Sequence, residues 1–285
     1  MKNIIITSAD LKYGDFIINH WLRSLKDNVN LKNIEVAVVD YGLNSSQKDK
    51  LKKENVIIIQ GSKNGNIGNL RFIDALKFLQ KNAYNQVLSV DGGDIIFQDD
   101  ISFLFDKDKN YFRVVGHDLE NLFLEVFIRK NFSKEIEEKI WQFLKNKPMS
   151  EIVGAGVIFA PYNKFIYLCK QIDKLVLNKN SYGPDQIVAN YITHQEGIKF
   201  LDKKYNFMPS GFKDKFIVED GIFYMEDGKK IAIFHNSGNL NWRVVKNFGY
   251  GNGFNTQINY PLYYGKKFLY SYITPIIKKI ILAIN

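Results

Sequence analysis

The sequence predicts an α/β fold, with a mainly parallel central sheet flanked by helices in a single domain. Short apolar runs alternate with amphipathic segments through the first half of the chain. Strands that alternate with helices pair in parallel, because each helix returns the chain to the same end of the sheet. The runs are apolar at most positions, which is typical of strands covered on both faces. A chain of 285 residues is long enough to bury one large core.

The first half contains four predicted strands separated by three predicted helices. A helix is assigned where apolar residues recur every three or four positions, as Ile17, Trp21 and Leu25 do. A strand is assigned where aliphatic residues form a short run. The strands span 3–7, 35–39, 56–59 and 86–90, and the helices span 16–25, 45–53 and 69–80.

The second half is less regular. It contains predicted helices at 134–144, 165–177 and 185–191, and predicted strands at 156–159 and 230–234. No repeat and no linker interrupts the chain. We therefore predict one domain over residues 1–260, followed by a C-terminal tail over residues 261–285.

The tail differs in composition from the rest of the chain. Residues 268–284 are aromatic and aliphatic, with Pro275 in the middle and lysines interspersed at Lys266, Lys267, Lys278 and Lys279. The lysines and the proline argue against a membrane-spanning helix. Two interpretations remain open: a basic, apolar segment that lies in the membrane interface, and a terminal helix docked on the domain.

The composition is that of a soluble globular protein, with 46% hydrophobic and 24% charged residues. A formal charge of +9 favours acidic partners such as anionic lipid and phosphate-rich substrates. No zinc-ligand spacing, RNP-like motif or helix-turn-helix signal supports a nucleic-acid partner. The single cysteine, Cys169, lies in an apolar run, so it is predicted to be a buried thiol in a reducing, cytoplasmic setting. The apolar run Ile4–Ile6 is too short for a signal peptide and is predicted to open the sheet.

The segment Asp91-Gly92-Gly93-Asp94 follows directly after a predicted buried strand. Ligands of open parallel sheets bind beyond the carboxyl ends of the strands. Two carboxylates on a glycine turn suit a hard divalent cation such as Mn²⁺ or Mg²⁺. The alternative is an ordinary acidic turn.

Two further segments carry candidate site residues. His235 follows an apolar strand and precedes a polar, glycine-containing turn, which makes it a candidate metal ligand. A lone histidine is more often structural. Asp185-Gln186 follows a Tyr-Gly-Pro turn at a predicted helix start, where Asp185 is either a site residue or a helix cap.

In this order, the segments resemble those of glycosyltransferase family 8 and its GT-A relatives. The resemblance covers residues 3–243, and six segments carry it: Ala9-Asp10-x-x-Tyr13, Arg71, 87–97, 154–158, Asp185-Gln186 and His235-x-x-Gly238. It implies a GT-A (Rossmann-like) domain with the basic, apolar tail appended.

The resemblance also implies a role for each matching residue. The metal ligands are expected to be Asp91, Asp94 and His235. Asp185 and Gln186 are expected beside the anomeric carbon of the transferred sugar. The remaining nucleotide- and sugar-binding residues are expected to be Thr7, Ser8, Asp10, Tyr13, Arg71, Gly92, Gly154, Ala155, Gly238 and Asn241.

The sequence departs from the family pattern at several positions. The acidic motif reads Asp-x-x-Asp, so either Asp94 shifts into the second ligand position or Gly93 leaves that position empty. Gly154 replaces an asparagine of the sugar pocket, and Lys12 replaces a common asparagine on the uracil side. Asn241 stands where the family has a diphosphate-binding lysine, with Arg243 nearby as a substitute.

The implied reaction is transfer of a hexose from a UDP-sugar to a hydroxyl of a glycan or lipid-linked acceptor, with retention, as in bacterial lipopolysaccharide or capsule synthesis. The protein is expected in the cytoplasm, or at the inner face of an anionic membrane if the tail binds there. The acceptor is expected beside residues 116–148, where Asp118, Glu120, Asn121 and Glu125 suit carbohydrate hydroxyls.

Two other function classes stay open. A sugar-phosphate nucleotidyltransferase shares the broad fold, but its glycine-rich phosphate loop is missing after the first strand, at residues 7–10. A non-catalytic domain that binds sugar nucleotide or membrane is the second alternative. Metal-dependent hydrolysis of UDP-sugars separates it from an enzyme.

Overall fold

The computed structural model describes residues 1–119, 128, 131–145, 147–238 and 240–284. Its strands are β1 Asn3–Ala9, β2 Ile34–Asp40, β3 Ile57–Gln60, β4 Gln86–Val90, β5 Ile95–Phe97, β6 Phe112–Val114, β7 Val157–Pro161, β8 Ile198–Phe200, β9 Phe216–Glu219, β10 Ile222–Met225 and β11 Ile233–His235. Its helices are α1 (Gly14–Phe16, a π-helical turn Ile17–Leu22, and Arg23–Asn28), α2 Ser45–Lys53, α3 Ile67–Leu79, α4 Lys134–Leu144, α5 Tyr162–Leu175, α6 Pro184–Glu196 and α7 (Tyr260–Phe268, a π-helical turn Leu269–Ile273, and Thr274–Ile284).

Seven strands form the central sheet in the order β3-β2-β1-β4-β7-β6-β8. The first four strands in this order are parallel neighbours, as are β6 and β8, while β7 is antiparallel to both β4 and β6. The predicted α/β fold, with a mainly parallel central sheet flanked by helices, is confirmed.

Helices cover the sheet on both faces because successive strand residues point to opposite sides. On one face, Ile4 and Ile6 of β1 belong to a core with Phe72 of α3 and residues of α5 and α6. On the other face, Ile5 packs in a second core with Trp21 of α1. This two-sided burial explains why the strand runs are apolar at consecutive positions.

Because β7 runs antiparallel to β4, the start of β7 lies beside the end of β4. Val157 of β7 pairs with Val90 of β4, so the residues before β7 lie beside those after β4. The amide of Asp91 donates to the carbonyl of Gly156 at 2.9 Å. The acidic turn is therefore held against the segment 153–156.

A short antiparallel pair, β5 with β11, extends the fold beyond the acidic turn. Ile95 pairs with His235, so the last residue of β11 lies next to the residue that follows Asp94. Behind this pair, a third apolar core gathers aromatic side chains, among them Phe207, Phe223 and Phe234. This core fixes β11 and with it the position of His235.

Several predicted boundaries differ from the observed ones. The late strand was expected from residue 230 but begins at Ile233, because the amide of Ala232 donates to the carbonyl of Lys204 outside any ladder. Helix α3 begins at Ile67, two residues earlier than expected, after the N-cap Asn66. Cys169 is fully buried, as predicted.

The tail forms helix α7, whose first turns pack on the domain. Tyr263 is 4% exposed and belongs to the third core. Lys266 donates to the carbonyl of Trp242 at 2.6 Å, and Lys267 donates to the carbonyls of Lys213 and Asp214. Among the described residues, no helix has the length and apolar character needed to cross a membrane.

The outward side of α7 carries a row of exposed aromatic and aliphatic side chains. They recur at every fourth position and are Tyr260, Tyr264, Phe268, Tyr272, Ile276 and Ile280. Four residues exceed one α-helical turn of 3.6 residues, so such a row drifts around a regular helix. The wider π-helical turn at Leu269–Ile273 counteracts that drift.

Candidate active site

A cleft with a volume of about 590 Å³ opens at the carboxyl ends of β1 and β4. This is the edge at which open α/β sheets bind ligands. The residues that line it are Ser8, Ala9, Asp10, Tyr13, Asn66, Ile67, Gly68, Arg71, Asp91, Gly92, Gly93, Asp94, Gly156, Tyr182, Gly183, Asp185, Gln186, Gly238 and Arg243.

The glycines of the acidic turn are required by close packing. A Cβ atom at Gly92 would collide with the carbonyl oxygen of Ser8, and one at Gly93 would lie 2.6 Å from the ring of Tyr13. The turn therefore passes directly over the end of β1. It presents Asp91 and Asp94 to the cleft.

Asp91, Asp94 and His235 form a cluster whose ligand atoms lie within 4.8 Å of one another. Nε2 of His235 is 3.7 Å from Oδ2 of Asp91 and 3.6 Å from Oδ1 of Asp94. Two carboxylates and one imidazole suit a divalent cation such as Mn²⁺. A Cβ at Gly156 would lie 2.8 Å from Oδ2 of Asp91, so only glycine leaves this space open.

The imidazole of His235 is oriented from behind by Asn206. Nδ1 of His235 lies 3.0 Å from Oδ1 of Asn206, and Asn206 is fully buried. Since an amide oxygen only accepts hydrogen bonds, Nδ1 donates to Asn206 and Nε2 is turned towards the two carboxylates. This arrangement fits the residues for holding a cation.

Arg71, in the first turns of α3, neutralises one side of the cluster. Its guanidinium bonds to Oδ1 of Asp91, lies 3.6 Å from Asp185 and donates to the carbonyl of Ala155 at 3.3 Å. Burial raises the pKa of the Asp185 carboxyl, and the Arg71 charge opposes that shift. Asp185 is the second residue of α6, after Gly183, whose φ of 101° only glycine adopts readily.

Arg243 neutralises the other side of the cluster. Its Nη2 lies 3.5 Å from Oδ2 of Asp94, and its Nε donates to the carbonyl of Gly238 at 3.0 Å. The guanidinium carbon is 5.5 Å from the centre of the Tyr13 ring. The side chain is 8% exposed and lines the cleft.

Gln186 is fixed by two backbone contacts. Its Oε1 accepts from the amide of Ala155 at 2.8 Å, and its Nε2 donates to the carbonyl of Val153. The side chain thereby lies at the cleft wall beside Asp185. The N-termini of α3 and α6 both open on this cleft, which favours a negatively charged ligand.

Five of the expected site residues lie outside the cleft lining as the described residues define it, and one of them, His235, belongs to the cation cluster. Thr7 is 3% exposed and its hydroxyl lies under Gly92. The side-chain space of Gly154 is filled by His117, Asn206 and Met208. Ala155 takes part through its backbone alone. Asn241 is exposed in the 3-10 turn Leu240–Trp242.

The sequence interpretation missed other parts of the lining. Asn66, Ile67 and Gly68 line the cleft because α3 begins earlier than expected. The signal was the asparagine cap, which accepts from the amide of Gly68 at 2.9 Å. Tyr182 of the Tyr-Gly-Pro turn also lines the cleft.

The structure describes only part of the expected acceptor stretch. Glu120, Asn121 and Glu125 lie outside the described residues. Asp118 is described, and its carboxylate accepts from Lys203 at 2.5 Å. Lys203 also bonds to Asp214, so this pair ties the stretch to the loop before β9.

The chain matches no protein-family model and no curated protein, but solved structures share its fold. Galactosyltransferase LgtC in complex with donor and acceptor sugar analogues is 16% identical, with a TM-score of 0.52 over 83% of this chain and 88% of LgtC. An active-site mutant of LgtC is 15% identical, with a TM-score of 0.53 over 92% of this chain and 94% of that one. The bifunctional glycosyltransferase WbbM, in its apo form, is 15% identical, with a TM-score of 0.54 over 98% of this chain and 51% of WbbM. These likenesses confirm the predicted GT-A fold.

Proposed function

We propose that this chain of GT-A fold is a metal-dependent, retaining glycosyltransferase. It transfers a hexose from a UDP-sugar to a hydroxyl group of a glycan or lipid-linked acceptor. The observation that carries the proposal is the convergence of Asp91, Asp94 and His235 in one cleft with two arginines. The LgtC structure of the same fold, which holds donor and acceptor sugar analogues, supports it.

Asp91, Asp94 and His235 would hold a divalent cation, Mn²⁺ or Mg²⁺. When bound, the cation supplies positive charge against the negative charge that develops on the departing diphosphate. Arg71 contacts Asp91 and Arg243 contacts Asp94, so the two arginines add two further positive charges. The N-termini of α3 and α6 act in the same direction.

The uridine would lie over the end of β1, against Ser8, Asp10 and Tyr13. Asp10 accepts from the amide of Tyr13 at 3.0 Å, which fixes the loop after β1. All three residues line the cleft. The diphosphate would then lie at the acidic turn and the sugar towards Gln186.

The sugar environment supports a same-face substitution. In the described lining, the carboxylates are Asp10, Asp91, Asp94 and Asp185. Asp185 is buried and lies 3.6 Å from Arg71, so it is a poor nucleophile, and Gln186 carries an amide. The acceptor oxygen therefore bonds to the anomeric carbon on the face that the diphosphate leaves. The electron pair of the breaking bond goes to the diphosphate oxygen, which also takes the acceptor proton.

The tail over residues 261–285 supports a peripheral position at an anionic membrane, where lipid-linked acceptors of bacterial surface polysaccharides are found. The row of exposed apolar side chains on α7 is suited to the interface. Lys266 and Lys267 bond to backbone carbonyls, so attraction to anionic lipid would come from the net charge of +9.

The test is a thermal-shift panel of UDP-, GDP-, CDP- and dTDP-sugars, each with and without Mn²⁺. A ligand that binds only the folded state raises the melting temperature. We expect a shift with UDP-sugars that requires Mn²⁺ and is lost in Asp91→Ala. No shift with any nucleotide would contradict the proposal. A shift without transfer or hydrolysis of the sugar would indicate a binding domain.

A further inference from the structure

We propose that Arg243, together with Arg71, couples the binding of the cation to the binding of the nucleoside diphosphate. In the structure each arginine pairs with one carboxylate of the cation cluster. When the cation takes these carboxylates, the arginines turn to the diphosphate. Cation and diphosphate therefore bind as a pair. This inference rests on the proposed function and adds the residues that enforce the pairing.

Each of the two aspartates of the cluster has an arginine partner. Arg71 bonds to Oδ1 of Asp91. Arg243 lies 3.5 Å from Oδ2 of Asp94. The carboxylates that a metal ion needs are therefore already engaged.

The charges around this position are nearly balanced before any ligand arrives. Three carboxylates, those of Asp91, Asp94 and Asp185, face the guanidinium groups of Arg71 and Arg243. A divalent cation alone would leave an excess of positive charge in a largely buried site, which is costly where the effective dielectric constant is low. A diphosphate supplies the negative charge that removes this excess.

The reach of Arg243 suits it for the exchange. Its Nε is held by the carbonyl of Gly238, and its planar group lies near the ring of Tyr13. Arg243 itself lines the cleft, so a change of rotamer that releases the bond to Gly238 would turn Nη2 from Asp94 to a diphosphate in the cleft. An arginine fork bonds equally well to carboxylate and to phosphate.

Removal of Arg243 has effects of opposite sign on the two ligands. Without its charge, Asp94 is free for the cation, so Arg243→Met binds Mn²⁺ alone more tightly than the native protein. The same variant binds UDP alone more weakly, because a diphosphate contact is lost. The factor by which each ligand strengthens the other decreases, and it is the same factor for both by linkage.

The experiment measures three affinities for each protein. Mn²⁺ binding is followed by the electron paramagnetic resonance signal of the free ion, without nucleotide and at saturating UDP. UDP binding is followed by calorimetry with a chelator present. The matched control is Arg23→Met, which removes an equal charge from a side chain that is 72% exposed and 3.8 Å from Asp27 on α1.

In the native protein, UDP should strengthen Mn²⁺ binding at least about fivefold, the lower end of typical couplings. Arg243→Met should show the opposed changes and a smaller coupling factor, while Arg23→Met should match the native protein. Arg243→Lys keeps the charge without the fork and should retain part of the coupling, which gives a second variant if the first does not fold.

Two results would overturn the inference. In the first, native protein binds Mn²⁺ equally well with and without UDP. This result would not contradict the proposed function. In the second, Arg243→Met binds both ligands more weakly than the native protein does, and the coupling factor between them is unchanged. Native protein that binds neither ligand, alone or together, would overturn the proposed function as well.

Discussion

The imidazole of His235 depends on one side chain for its orientation, the amide of Asn206. Only one end of that amide is used: Oδ1 meets Nδ1 of His235, whereas Nδ2 is buried with no hydrogen-bond partner among the described residues. Replacement by aspartate therefore removes no hydrogen bond and keeps the acceptor. Replacement by leucine removes the acceptor and leaves the volume nearly unchanged.

We expect Asn206→Leu to weaken Mn²⁺ binding at saturating UDP by about 10- to 100-fold, the usual effect of losing a partner behind a metal-bound histidine. Asn206→Asp should stay within a few-fold of the native affinity. Asn255→Gly is the control for the loss of a buried side-chain amide away from the cation cluster. It removes three hydrogen bonds with Gly221 and Gly249 and should lower the melting temperature without changing Mn²⁺ binding. Equal affinities for the leucine and aspartate variants would contradict the role of Asn206.

Gly156 provides a second test of the cation cluster. An added Cβ would lie 2.8 Å from Oδ2 of Asp91 and close to the ring of His235. Gly156→Ala should therefore abolish the Mn²⁺-dependent thermal shift with UDP-sugar while the fold is retained. Gly265→Ala is the matched control, because its Cβ meets nothing within 4 Å on helix α7, and it should be neutral or stabilise by up to about 1 kcal/mol. A native Mn²⁺ response in Gly156→Ala would show that the space is not needed.

Among the elements, those with long and regular patterns could be predicted from the sequence. The bounds of β4 and α4 agree with the expected ones, because five consecutive buried residues and a clear helical period mark them. Strands β5, β6 and β8 contain three residues each, which is too short for a pattern to be read. The π-helical turn of α1 is set by packing and hydrogen bonding rather than by the apolar spacing, which alone predicts a regular helix.

The contacts of Asp40, the last residue of β2, predict its contribution to the free energy of unfolding. Asp40 is 3% exposed, accepts from the amides of Gly42 and Leu43 at 2.8 and 2.7 Å, and lies 2.9 Å from Lys48. Burial alone would raise the pKa of its carboxyl, but Lys48 and the two amides outweigh burial and lower it. Asp40→Asn should cost about 1.5 to 3 kcal/mol at neutral pH, the value of hydrogen bonds to a charged group.

The contribution of Asp40 to stability depends on pH with a definite sign. Because the folded-state pKa of Asp40 is lowered, its contribution is present above the unfolded pKa of about 3.9 and is lost as the pH falls through the folded value. Urea denaturation between pH 2 and pH 7 should show the native and Asp40→Asn curves converging at the acid end. A constant difference across that range would rule out the charged carboxylate as the cause.

The exposed apolar side chains of helix α7 predict binding to a membrane surface. Phe268, Tyr272 and Ile276 are 58%, 63% and 57% exposed. Their joint replacement by serine should reduce cosedimentation with vesicles that contain anionic lipid severalfold, because apolar burial drives interfacial binding. The melting temperature should change little. Leu177→Ser, at a position 65% exposed, is the control and should leave vesicle binding intact. Undiminished binding by the triple variant would mean that α7 serves only as a docked helix.

For the whole molecule, the fold was predictable because its first half repeats one simple unit. Four strands and three helices alternate, and this pattern alone defines a parallel sheet with a ligand edge. The GT-A fold is confirmed by structures at 15–16% identity, where few side chains are shared. The reversal at β7 and the pairing of β5 with β11 depend on tertiary contacts and have no sequence signal of their own.

The same contrast holds for the site. Asp91, Asp94, Arg71, Asp185, Gln186 and His235 were expected together and lie around one cleft or its cation cluster. Asn206 and the ion pair of Arg243 with Asp94 were not expected, since both come from irregular segments near the end of the chain. Their contribution follows from packing around β11.

The position of β11 has a consequence for the newly synthesised chain. His235 follows Asp94 by about half the length of the sequence, and β11 joins the acidic turn only after the intervening residues have folded. Contacts between such distant segments form late, because the entropy of closing the loop must first be overcome. The parallel strands can assemble during translation while the cation ligands are still incomplete. A nascent polypeptide on the ribosome therefore lacks the complete cluster of Asp91, Asp94 and His235 until residue 235 has emerged.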